Sequence, residues 1–184
     1  STFLIGMSYL QTAYDNVAEV KSVLAQGAKA QQVAVVTSKK QADVEKLRVI
    51  DIETCQEIEL DVTIHNASKS KSKLTRTRPT AYLLDASQAI LAQKLSVLGL
   101  NVEVLSKDQN VTVESYTVSD YYRQPEKYEG MHLQEVSCDI DIIQKSISKG
   151  TYVVYMNQDN SNLAIEVLEP EAPNSFVRFG ILKT

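Results

Sequence analysis

Two histidines, two cysteines and a few closely spaced acids are the side chains of this 184-residue chain whose chemistry could carry a reaction. Histidine comes first, because most hydrolytic and metal chemistry at neutral pH uses it. In this reading neither His65 nor His132 has a chelating partner on one helix or turn, and a zinc site normally needs three or four ligands. Both are read as surface or hydrogen-bonded residues. Cys55 and Cys138 are isolated thiols, read as two buried free cysteines or one opportunistic disulfide rather than a metal site. Carboxylate pairs can do acid/base work when one is buried and the other hydrated. Glu169 and Glu171 flank Pro170, and Asp139 and Asp141 sit two apart, but turn acids on a solvated rim and same-face strand residues account for both pairs. No serine sits in a nucleophile-elbow glycine pattern. The tyrosines at 116, 121, 122, 128, 152 and 155 remain: they could supply amphipathic contact area, or pack on sheet faces.

Several elements would have to position these groups. Apolar residues at spacings of three and four (Leu10, Ala13, Tyr14, Val17, Val20, Leu24) predict a helix from Ser8 to about Gln26, and a second segment, Ala28 to Leu47, is read as helical despite its β-branched VAVV core. Together they read as an antiparallel pair. Alternation then predicts a strand through Ile58, Leu60, Val62 and Ile64, and the basic run from Ala67 to Arg78 reads as a solvated hairpin loop. Ala81–Leu84 is a strand, Asp85 or Ser87 caps a helix to about Val97, Gly99 ends it, and Val102–Leu105 is a strand, a unit compatible with a parallel crossover. Val111 to Val118 and Val136 to Ile142 alternate as strands around a tyrosine-rich loop, Tyr121 to Tyr128. Tyr152–Met156 is a strand. A short helix capped by Asn162 follows, with Glu166 and Glu169 on its polar side, and Phe176–Phe179 reads as a closing strand. The fold class is α+β: an N-terminal helical pair (residues 1–49) followed by a mixed, mainly antiparallel sheet domain with a strand–helix–strand unit (residues 50–184).

Composition narrows the function classes. A 43% hydrophobic content supports a substantial core, and a net charge of −4 with dispersed lysines and arginines gives no phosphate-binding footprint, so no nucleic acid is expected as partner. No apolar run approaches the roughly 18 residues of a membrane span. No charged stretch precedes Phe3-Leu4-Ile5, so no secretory leader is read there, and the absent initiator methionine is read as the mark of a processed or excised product.

Several motifs carry a resemblance. Leu168-Glu169-Pro170-Glu171-Ala172-Pro173-Asn174-Ser175-Phe176, continuing to Arg178-Phe179-Gly180, resembles the LLEPEAPDSxxxWG signature near the C-terminus of large bacterial zinc carboxypeptidases of the carboxypeptidase A-like family. Arg78–Leu84 is similar to that region's RPxAYxx strand, and Lys94–Leu100 to its KLxxLGI helix end. Val113–Tyr116 is similar to VExY, Tyr128–Gly130 to (F/Y)EG, and Gly150–Val154 with Gln158 to GxYVVxxxQ. Thr2–Tyr9 looks like the FLxE strand and helix that end the peptidase domain, which would put Gly6 where the family carries its catalytic glutamate. Glycine has no group to transfer a proton. The family's HxxE pair and later histidine find no match, and Phe179 stands at its WG tryptophan.

The resemblance implies a non-catalytic accessory domain, behind the tail of a peptidase-like module, that packs on that module or shapes access to it. No catalytic residue and no cofactor are expected in this chain, and zinc is implied only for the parent peptidase. The expected partner is the peptidase module of the same polypeptide or a homologous chain, with a homo-oligomer also open. Candidate contact residues are Tyr116, Tyr121, Tyr122, Tyr128, Glu169, Glu171 and Asn174. Two alternatives stay open: a degenerate peptidase relative that binds peptide or glycan, and a small hydrolase using His132 with Asp139 or Cys138.

Overall fold

The computed structural model describes residues 2–38, 41–66 and 69–183. Its order is α1 (Thr2–Asp15), α2 (Val17–Gly27), β1 (Gln32–Thr37), β2 (Gln41–Ile50), β3 (Glu57–Asn66), β4 (Ser72–Thr77), β5 (Ala81–Leu84), α3 (Ala89–Val97), β6 (Glu103–Val104), β7 (Gln109–Tyr128), β8 (Met131–Ile147), β9 (Tyr152–Tyr155) and α4 (Ser161–Leu168). The class is α+β, with N-terminal helices and mainly antiparallel sheets. Two compact units divide it: Ser1–Val33 with Thr77–Thr184, and Ala34–Arg76.

The core of the larger unit forms around β9, the middle strand of a three-stranded sheet. Val153 and Val154 are buried there, and Leu91, Ala92 and Leu95 of α3 and Ala164, Ile165, Val167 and Leu168 of α4 supply further buried apolar side chains. β5 and β6 both pair antiparallel with β9, so they run parallel to each other on its two sides. The strand–helix–strand unit thus makes the parallel crossover its length allowed. Asp85 accepts from Ser87 N–H and opens a 3-10 turn ahead of α3. α3 ends as a Schellman turn: Leu100 N–H donates to Leu95 O, Gly99 N–H donates to Ser96 O, and Gly99 takes φ +83°.

β7 and β8 form one long hairpin, closed by Glu129 and Gly130 with φ of +49° and +84°. Two consecutive positive values identify a type I′ turn, whose twist matches that of the strands it joins. Tyr121, Tyr122 and Tyr128 therefore lie on β7, not in the loop expected from sequence.

The N-terminal reading needs correction at three places. Residues 2–5 are helical from Thr2 onward, and Gly6 lies inside α1. The antiparallel pair expected of the 8–26 and 28–47 segments does not form, because only the first is helical, as α1 and α2 joined by Asn16. Asn16 N–H donates to Thr12 O and Asn16 O accepts from Val20 N–H, so the helical ladder expected over 8–26 runs through the joint. The helix expected over 28–47 is instead β1 and much of β2, with residues 39–40 outside the described ones. β-Branched Val33, Val35 and Val36 lose rotamer freedom in a helix and fit a pleated strand. The basic run is likewise not one loop: Ser72–Thr77 is β4, while residues 67–68 lie outside the described ones.

The smaller unit contains the β2–β3 hairpin and most of the paired strands β1 and β4. The β2–β3 register sets Leu47 opposite Leu60 and Val49 opposite Ile58 on one face, and Lys46 opposite Asp61 and Arg48 opposite Glu59 on the other. Asp51 organises the turn by accepting from Glu53 and Thr54 N–H, which holds its carboxyl below the usual carboxylate range.

Arg78 does more than begin a strand motif. Its guanidinium donates to Ala30 O at 2.7 Å, Gly27 O at 3.0 Å, Ser161 Oγ at 3.1 Å and Asn162 Oδ1 at 2.5 Å. One cation therefore satisfies carbonyls at the end of α2, where a positive charge is favoured, and ties them to the first turn of α4. A lysine offers a point charge without the planar fork. Replacing Arg78 by Lys is expected to cost about 2–4 kcal/mol, given roughly 1.5–3 kcal/mol for a hydrogen bond to a charged group. Urea unfolding of the variant against the parent chain measures it.

Candidate functional site

α4 ends at Leu168, and the chain beyond it is not the strand expected at Phe176–Phe179. It is a series of tight turns: Ala172 N–H donates to Glu169 O, Ser175 N–H to Ala172 O, and Gly180 N–H to Val177 O. Pro170 and Pro173 remove donors and fix φ, so neither helix nor ladder can continue there. The turns run beside the outer edge of β8. Gln134 N–H donates to Arg178 O at 2.8 Å, Cys138 N–H donates to Glu171 Oε1 at 3.3 Å, and Arg178 pairs with Glu135 at 3.2 Å. The segment thereby covers backbone donors that an open strand edge would leave exposed.

At the root of this segment sits Glu169, and the solvated-rim reading of it is wrong. Glu169 is 1% exposed. Its carboxylate accepts from Tyr82 Oη at 2.5 Å and from Tyr116 Oη at 3.1 and 3.0 Å to its two oxygens. Helical period alone put it on the polar side of α4, but the helix ends one residue earlier and Glu169 takes an extended conformation (φ −66°, ψ 120°). That turns the side chain inward. Two phenols from β5 and β7 then provide the charge-assisted hydrogen bonds that a carboxylate removed from water needs. Burial, then the Glu169 charge and its hydrogen bond, hold the Tyr82 hydroxyl far above the ordinary tyrosine range, and Arg78 opposes that shift.

The remaining sequence-derived residues are dispersed. Tyr116 meets Glu169. Tyr121, Tyr122 and Tyr128 are exposed along the distal part of β7. Glu171 reaches β8, and Asn174 Nδ2 donates to Glu166 Oε1 at 2.7 Å. Asp139 and Asp141 are exposed on β8. Neither cysteine forms a disulfide, and Cys55 is exposed rather than buried. Sequence reasoning passed over Arg78 and Tyr82 as functional groups. Both lie in the RPTAYLL stretch, where an arginine and a tyrosine four residues apart around a proline were the available signal.

Reactive geometry around His132 is narrow. Its Nδ1 lies 3.0 Å from Gln124 O, a backbone carbonyl. His132, Cys138 and Asp139 share the unbroken strand β8, so six or seven residues separate the imidazole from either partner, about 20 Å or more at the rise of a strand. That pairing cannot operate within one chain. Among the described residues no three of His, Cys, Asp and Glu are grouped so as to hold a metal ion.

The chain is 29% identical over 188 residues to carboxypeptidase 2 of Trichophyton rubrum, covering 99% of this chain and 35% of that protein. It is 27% identical to carboxypeptidase 2 of Trichophyton tonsurans over 95% of this chain and 33% of that protein. The probable carboxypeptidase 2 of Arthroderma benhamiae is also 27% identical, over 92% and 33% respectively. The chain thus spans about a third of the length of these relatives, which are fungal. No family model matches it. No solved structure matches it.

Glu169→Ala removes the acceptor of two phenols and leaves both without their partner. It is expected to cost about 3–5 kcal/mol, against about 1–2 kcal/mol for Tyr82→Phe, which leaves Tyr116 in place. Denaturant titration separates the two. The pH dependence follows from the raised Tyr82 value: folding binds the phenolic proton more tightly, so this contribution is complete below the ordinary tyrosine value of about 10 and is lost as pH rises beyond it. Absorbance titration should find one tyrosine still protonated after the exposed ones have ionised. The Tyr82→Phe variant should lose less of its neutral-pH stability at alkaline pH.

Proposed function

We propose that this chain is a non-catalytic accessory region of a carboxypeptidase-like protein, packing on the peptidase module of the same polypeptide. One observation carries the reading: α1 and α2 contain no buried residue. Phe3 is 72% exposed and Tyr14 77%, and Leu4, Ile5, Leu10, Val23 and Leu24 are exposed with them. An isolated amphipathic helix draws most of its stability from the face it buries. Contiguous apolar surface of this kind marks an interaction site. The occupant we assign is the peptidase module, because relatives named as carboxypeptidases are about three times the length of the matching stretch and match nearly all of it. Arg78 anchors only the root of the helical arm, which leaves its outer part to the neighbouring module.

Gly6 fits this role and not a catalytic one, since it brings no side chain to the helix. The LEPEAPNS turns would hold the accessory fold together through Glu169 rather than meet a substrate. Zinc would belong to the parent module.

The test joins binding with turnover. The 184-residue chain, supplied with zinc, is expected to release no C-terminal residue from peptides. Mixed with the peptidase module encoded beside it, it should co-elute as a one-to-one complex. A Phe3→Ser, Leu24→Ser variant should lose the complex while keeping its own melting temperature, because neither side chain is buried. Hydrolysis by the chain alone, or a reading frame with no zinc-peptidase motif next to this stretch, overturns the proposal.

A further inference from the structure

The distal end of the β7–β8 hairpin and the turn at Phe179–Gly180 flank a shallow, open depression of about 570 Å³. Strand register explains what lines it. Arg123 pairs with Gln134 and Lys127 pairs with His132, while three residues, Gln124–Glu126, bulge out opposite Leu133. Paired residues in a ladder point to one face, and residues two apart share it. Arg123, Lys127, His132 and Gln134 therefore converge on one side, and all four line the depression.

Arg123, Lys127 and the Gln134 amide can each donate a hydrogen bond. His132 Nδ1–H donates to Gln124 O, which fixes the ring and leaves Nε2 as its remaining nitrogen. Gln134 is held through its backbone by Arg178 O, and Gly180 lies against its amide: a Cβ on Gly180 would stand 2.8 Å from Gln134 Nε2, at a φ of +65° that side chains disfavour. Among the described residues lining the depression none is acidic. The nearest carboxylate on β8, Glu135, is occupied by Arg178 and by the Gln124 amide. Phe179 and Met131 add apolar wall.

We infer that this depression binds an oxyanion, a carboxylate or a phosphate, with Arg123 and Lys127 supplying charge and the Gln134 amide supplying direction. Two cations in a concavity raise the local anion concentration, and the arginine fork suits both oxyanions. The apolar wall accepts a ring or aliphatic substituent beside the anionic group.

Amide NMR of the full chain, titrated with benzoate, with inorganic phosphate and with benzylammonium, tests it. Benzoate, phosphate or both should give saturable shifts at Gly130 and Gly180. Benzylammonium should give none. Benzoate alone identifies a carboxylate site and phosphate alone a phosphate site, and added salt should weaken either. Arg123→Ala and Lys127→Ala should each lower affinity by at least about tenfold, the value of one charged hydrogen bond. Gly180→Ala should weaken binding by displacing Gln134, and the exposed Lys127→Glu variant, with an unchanged melting temperature, should abolish it. No saturable shift with either anion, equal shifts with the cation, or undiminished affinity in Lys127→Glu overturns the inference.

Discussion

A carboxylate removed from water has to be given back most of the hydrogen bonds it lost, and the larger unit is arranged around meeting that demand for Glu169. Its two phenol partners come from β5 and β7, far apart in sequence, and its own backbone ends α4. The position of the hairpin relative to the three-stranded sheet and the start of the C-terminal turns therefore meet at one side chain. Removing a partner from such a group costs more than the pair contributed, because an unsatisfied charge stays behind. Ser175, equally buried, repeats the logic without charge: its hydroxyl donates to Pro170 O and accepts from Arg178 N–H.

Much of the fold could be read from residue pattern alone. The Tyr152–Tyr155 strand, the Asp85 cap of the 3-10 turn that leads into α3, the Gly99 terminator of α3, and the alternation on β7 and β8 all came from local signals that the structure repeats. These signals are strong because propensity, period and end residues agree in each case. The misreadings fall where they conflict. Val33, Val35 and Val36 are β-branched within a stretch where Val33, Val36, Val44 and Leu47 could be set on one helical face, and burial of Val33 and Val35 in a strand decided it. The resemblance implied a strand in the run from Thr2 to Ile5, yet the helix that follows absorbs it.

The site was less legible. Glu169 belongs to a motif recognised in the sequence, but its burial depends on where α4 stops and on two tyrosines supplied by distant strands. No spacing rule encodes that. The basic depression escaped for a similar reason: Arg123 and Gln134 meet only through the hairpin register, and the bulge at Gln124–Glu126 decides that Lys127, not its neighbour, faces His132. Local sequence reports which residues exist, while register and chain reversal decide which of them meet.

The arm formed by α1 and α2 has a mechanical consequence. It runs through 26 residues from Thr2 to Gly27, roughly 40 Å at 1.5 Å per residue, and is pinned at one end only. At that length a tilt of about 10° at the pinned end sweeps the far tip through about 7 Å. A change of angle at the guanidinium would thus be magnified along the arm into a displacement the size of a side chain at Phe3.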